Sequence, residues 1–95
     1  MQQLPTSVKI GPIVYAVSEV PRMATEQVYG SLVRTESVIE IHPHMSLAMQ
    51  ELTLIHEIVH ALLLQGGIRD QDEKLIDVMA HGIVGLLQDN RWLKE

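Results

Sequence analysis

The chain has no cysteine. That absence excludes both a disulfide framework and a thiolate metal site, so stability must come from packing, and any metal must be held by His, Asp or Glu. A basic cluster is missing too. Seven Lys and Arg face twelve Asp and Glu, for a formal net charge of -5, and without concentrated positive charge there is little to neutralise phosphates, which argues against direct nucleic-acid binding. No apolar segment reaches the roughly 18 residues of a membrane span without a charged or histidine interruption. The N-terminal stretch MQQLPTSVKIGP lacks a charged region leading into a long apolar run, so no export signal is expected there. These absences point to a soluble chain with no membrane partner; they leave the compartment open, and a cytoplasmic one fits. Repeats, linkers and low-complexity segments are absent as well. Ninety-five residues form one domain over 1–95, with a single modest core, and any active site has to be built on the core elements themselves.

What is present is an ordinary globular share of apolar residues, 46%, arranged in two regimes. Residues 8–17, VKIGPIVYAV, read as a β-branched strand in which Pro12 implies an edge position or a bulge. Residues 27–34 and 37–42 read as two further strands joined at Thr35-Glu36. In the last of these, Ile39 and Ile41 share one face while Val38, Glu40 and His42 share the other, the period of a half-buried strand. Val20 to Glu26 reads as a loop or a short irregular turn. After Pro43 the period changes. Ser46 is a plausible cap for a helix to about Gln65, closed by Gly66-Gly67, and a second helix runs from about Asp70 to Asn90. Its expected apolar stripe is Leu75, Ile76, Met79, Ile83, Leu86 and Leu87. Trp92 is expected to pack the tail of that helix against the body. The expected fold class is α+β: a small, mostly antiparallel sheet of about three strands followed by two main helices.

Chemistry concentrates at His56-Glu57-Ile58-Val59-His60. Burying an unpaired imidazole or carboxylate in such an apolar helix costs a few kcal/mol each, roughly, so these side chains need a ligand or water. On a helix, His56 and His60 lie one turn apart and can converge on one ion, with Glu57 beside them. This spacing supplies two nitrogen ligands for zinc and a carboxylate next to a metal-activated water. A third ligand must come from elsewhere. The second helix offers Glu73, Asp77 and His81 on one face, and the preferred assignment makes Glu73 the ligand and Asp77 a carboxylate that orients a ligating histidine. His81 and His42 are candidates for lining the cleft. If Asp70 caps the helix, Glu73 instead completes a capping box, and Asp77 or His81 becomes the third ligand; Asp77 paired with Lys74 as an exposed acid is a further alternative.

At this point the residues resemble a known family. TLIHEIVHALL and EKLIDVMAHGIVGLLQDN are similar to the two helices of gluzincin zinc metallopeptidases, and more narrowly to the minimal, phage-type members of the ImmA/IrrE-like group. The likeness covers about residues 37–92. It implies one zinc per chain, a peptidase fold, and the strand VIEIH bordering the cleft, where an extended peptide would add as a further strand. It further implies a cytoplasmic regulatory protease whose substrate is a repressor-type transcription factor. Larger relatives draw an oxyanion-stabilising His or Tyr from a region this chain lacks, leaving Tyr15, Tyr29, His42, His44 and His81 as candidates.

Two functions follow. The first is a zinc-dependent endopeptidase acting on a protein or peptide, with Glu57 as general base; the alternative is a zinc-binding module that recognises a protein partner without turnover. Two histidines and a carboxylate also accept Mn, Fe or Co, with zinc the default. The substrate, the bond cut and the oligomeric state are not written in the sequence.

Overall fold

The computed structural model describes residues 3–90; Trp92 lies outside them. Gly11 divides the first expected strand. Its φ of +57° falls in the left-handed region that glycine enters without a Cβ clash, and Pro12 presets φ at the next position. The outcome is a tight hairpin between β1 (Ser7–Ile10) and β2 (Ile13–Glu19), with Ile10 opposite Ile13. One bulged strand over 8–17 is therefore corrected to two, because Gly-Pro supplies the positive-then-negative φ of a two-residue turn. Val20 to Glu26 holds a short helix, α1 (Arg22–Glu26), rather than a loop. Its Met23 is buried.

Next come β3 (Gly30–Val33), a single 3-10 turn over Arg34–Glu36, and β4 (Val38–Ile41). The strands form one sheet in the order β1-β2-β4-β3. β1 pairs β2 and β3 pairs β4 antiparallel, whereas β2 and β4 run parallel. The class is α+β as expected, with four strands in a mixed sheet instead of about three. Ile39 and Ile41 are wholly buried, and cluster with Ile10, Tyr15, Leu54 and Ala61 between the sheet and a long helix. Burial of each isoleucine contributes about 1.5–3 kcal/mol. Glu40 points the other way, as the period-2 pattern requires, and pairs with Arg22 at 2.9 Å.

That long helix is α2 (Leu47–Gln65). The Ser46 hydroxyl caps it by accepting from the Met49 amide at 3.2 Å. At the other end Gly67 takes φ +86°, and the amides of Gly67 and Ile68 reach back to the Leu64 and Leu63 carbonyls, a Schellman closure. Two glutamines fasten the helix to the sheet. Gln50 Nε2 donates to Glu19 Oε1 at 2.6 Å and to the His42 carbonyl at 3.1 Å; Gln65 Nε2 donates to the Ile10 carbonyl at 2.7 Å. By length and mean hydropathy alone α2 would suit a membrane span, yet here it lies between the sheet and the next helix.

α3 (Glu73–Asp89) starts later than expected. Asp72, not Asp70, is the cap, its carboxylate accepting from the amides of Lys74 and Leu75. Glu73 is thereby the first helical residue, which removes the capping box with Asp70. α3 packs chiefly on α2, so only part of its apolar arc is covered. Ile76 and Ala80 are buried, with Ile83 and Leu87 half-buried, whereas Leu75, Met79 and Leu86 of the expected stripe are exposed. One neighbouring helix covers only one side of a helix, and α2 is the element on which α3 chiefly packs.

Candidate metal centre

The central turns of α2 carry His56, Glu57 and His60 towards the start of α3. Nε2 of His56 and Nε2 of His60 stand 3.2 Å apart, and each lies 3.1 Å from a different carboxylate oxygen of Glu73. The structure thus brings together the three side chains expected as ligands, with ligand atoms all within 4.8 Å of one another. The edge of a tetrahedron around zinc with histidine ligands is roughly 3.3 Å, from ligand distances of about 2.0–2.1 Å. The donor atoms already have that spacing.

The outer nitrogens have partners of their own. His56 Nδ1 faces Asp77 Oδ1 at 2.8 Å, and His60 Nδ1 faces Gln71 Oε1. The orientation of the Gln71 amide follows from its own contacts, since its Nε2 donates to the Ile68 carbonyl at 2.8 Å. Asp77 and Gln71 thus offer acceptors on the Nδ1 side of both rings, the arrangement in which a neutral imidazole turns its Nε2 lone pair inward. In that tautomer two Nε2 lone pairs and a carboxylate converge on one point. Nitrogen and oxygen donors converging in this way suit a divalent transition metal.

Glu57 lies between the triad and the sheet and is buried, 8% exposed. Burial raises its pKa above the usual carboxylate range; His56 and His60 oppose the rise, and Glu73 adds to it. Gly30 of β3 packs directly over this position. A Cβ there would run into Thr53 Cγ2 and come within 3.4 Å of Glu57 Oε2, so the strand approaches α2 this closely only with glycine.

Two cavities flank the triad. The first, about 530 Å³, is bounded by Leu32, Leu64, Arg69, Gln71 and Glu73; the second, about 400 Å³, by Tyr29, Met49, Leu52, Asp77 and His81. Gly30, His56 and Glu57 line both, which makes the cavities two halves of one cleft. His81 is part of it, with Nδ1 against the Asp77 carbonyl at 2.8 Å. His42 is not: its ring accepts from the His44 amide at 3.0 Å in the turn after β4, and it lines neither cavity. Nor does Asp77 pair with Lys74, since its carboxylate faces His56. VIEIH does not border the cleft either. β4 is flanked by β2 and β3, so both of its hydrogen-bonding edges are used, and the free edge over the cleft is β3.

Sequence reasoning missed Gln71, Arg69 and the role of Gly30. The two loop residues follow no period. Gly30, a glycine inside a strand pattern, was a signal for a close backbone approach.

Comparison with curated proteins and with solved structures returns no match. A family model does match, over residues 19–79: a peptidase family, Peptidase_M78, described as the IrrE N-terminal-like domain. The matched stretch runs from the end of β2 into α3 and contains every side chain of the triad. Because it spans well over half of the chain, the protein belongs to the IrrE N-terminal-like peptidase family.

Proposed function

We propose that the protein is a zinc-dependent endopeptidase of the gluzincin type, working in the cytoplasm on an extended segment of a protein substrate. The observation that carries this reading is the convergence of the His56 and His60 Nε2 atoms on Glu73 beside a buried glutamate. His56, His60 and Glu73 would hold the metal. Zinc supplies Lewis acidity there, lowering the pKa of water and polarising the scissile carbonyl.

The chain's own groups do the rest. Glu57 accepts the proton of the attacking water and delivers it to the leaving amine, from a buried position beside the triad. Asp77 and Gln71 hold the two imidazole rings in the ligating tautomer. β3 offers the substrate a backbone template. The His42 amide bonds to the Tyr29 carbonyl across the β3–β4 pair, and antiparallel alternation then turns the N–H and C=O groups of Gly30 and Leu32 outward over the cleft. Of the residues considered for the developing oxyanion, Tyr29 and His81 line the cleft, whereas Tyr15 is buried in the core. His81 has Nε2 left for that role.

The test pairs metal analysis with cleavage. Protein purified without a metal-binding tag should contain close to one zinc per chain, lost in His60→Ala and sharply reduced in Glu73→Ala. The loaded wild type should cut an unfolded protein or a repressor-type regulator, and Glu57→Gln should not. Stoichiometric zinc with no cleavage beyond that of Glu57→Gln would instead leave a zinc-binding module for protein recognition; no metal at all would remove the enzyme reading.

A further inference from the structure

We infer that the cleft selects its substrate by charge: Arg69 forms a cationic subsite for an acidic side chain on the N-terminal side of the scissile bond, facing an apolar subsite on the C-terminal side. The inference rests on the endopeptidase reading above and adds a substrate class to it.

The two halves of the cleft differ in chemistry. Arg69 is the one Lys or Arg lining the first cavity, where the apolar surface comes from Leu32 and Leu64. The second cavity has no Lys or Arg and is walled by Tyr29, Met49 and Leu52, of which Tyr29 and Met49 are 60% and 41% exposed. A guanidinium in one half, and apolar walls with Asp77 and His81 but no Lys or Arg in the other, would sort a bound peptide by side chain.

The segment carrying Arg69 is fixed at both ends. Before it, the Ile68 amide closes the Schellman turn on Leu63. After it, Gln71 bonds back to Ile68 and to His60, and Asp72 caps α3. The backbone that carries Arg69 is thus held in place, so the ordering cost of binding falls on the side chain alone. Arg69 also makes no ion pair among the described residues, although Asp70 and Asp72 are its near neighbours in sequence. Its five donors match a carboxylate in fork geometry. The cleft's own acids do not cancel it, since Glu73 and Glu57 face the metal position. At long range the net charge of -5 opposes an acidic ligand, but the field of distant charges is screened within about 8 Å at physiological salt, so the local guanidinium decides.

Strand polarity sets the order. β3 runs from Gly30 beside the second cavity to Leu32 in the first. Antiparallel pairing is the more stable ladder, and a peptide added that way lays its N-terminal half over Leu32 and Arg69 and its C-terminal half over Tyr29.

The experiment uses peptides identical except for Glu, Gln or Lys at the positions preceding one Leu. Cleavage by the zinc-loaded wild type is mapped by mass spectrometry. Binding to zinc-loaded Glu57→Gln is followed by fluorescence anisotropy. Arg69→Ala and Arg69→Glu are made in both backgrounds, with zinc content as the check that each variant is folded. The wild type should favour Glu over Lys by roughly tenfold or more, the size of a charge-assisted contact. Arg69→Ala should flatten that ratio, and Arg69→Glu should invert it.

An unchanged Glu-to-Lys ratio in Arg69→Glu overturns the inference while cleavage itself leaves the endopeptidase reading standing. A preference for the acid after the cut bond overturns the stated order. Charge-ranked binding without cleavage keeps the subsite and removes the protease; neither binding nor cleavage removes both.

Discussion

Each imidazole at the candidate metal centre has a partner at both nitrogens, and that makes residues outside the triad matter. Asp77 and Gln71 face the outer Nδ1 atoms of the two rings. Asp77→Ala and Gln71→Ala should each weaken zinc binding by roughly 10–100-fold, read by competition with a chromophoric chelator, and Gln71→Glu should restore the affinity because its carboxylate accepts the same proton. Glu57 gives a second prediction. Burial raises its pKa in the folded, metal-free protein, so the folded chain keeps a proton that the unfolded chain has already released, and stability falls as pH rises through the folded pKa. Glu57→Gln should therefore raise the melting temperature of the metal-free protein at neutral pH. The gain should vanish in acid, where Glu57 is protonated in both states. At this scale the sequence was informative where spacing carries meaning. His56, Glu57 and His60 were readable because four residues make about one helical turn; Glu73 was ambiguous because a carboxylate near a helix start serves equally well as a cap. Gln71 belongs to a loop, where no period exists to betray a contact.

Between residues and the whole lie the joints of the elements. Two glycines there are predicted to differ in kind. Gly67→Ala should cost about 1 kcal/mol through its left-handed φ, with the metal site left in place, since a Cβ there meets nothing within 4 Å. Gly30→Ala should cost about 1–3 kcal/mol through overpacking against Thr53, and should also depress cleavage by displacing either β3 or Glu57. Urea unfolding alongside a peptide assay separates the two. Element types were largely legible: Ser46 marked the start of α2, and the alternation of Val38 to Ile41 marked β4. Strand order was not. Local patterning says that Ile39 and Ile41 face the core but is silent on which neighbours flank them, so the edge over the cleft was assigned to β4 rather than β3. The limits of the α3 stripe have a similar cause, because periodicity reports an apolar arc and the number of packing neighbours decides how much of it is covered.

For the molecule as a whole, the order of stability should follow the order of contacts. α2 touches the sheet through Leu54, Ala61, Gln50 and Gln65, whereas α3 rests chiefly on α2. In the metal-free protein, amide hydrogen exchange should be fastest in α3 and slowest in β4 and the middle of α2. Zinc should slow exchange in α3 most, and a chelator should lower the melting temperature in proportion to the affinity lost; uniform protection across both helices would contradict this layering. The placement of the ligands has one more consequence. Two sit on α2 and the third on the first residue of α3, so a bound ion pins together two points of the chain with a dozen residues between them. In a sequence without cysteine, that is the work of a cross-link. It shrinks the conformations open to the unfolded chain much as a disulfide closing a loop of this size does, an effect of about 3 kcal/mol for 15 residues in the chain-entropy account. Unlike a disulfide, it forms in a reducing compartment and can be undone by any stronger ligand for the ion.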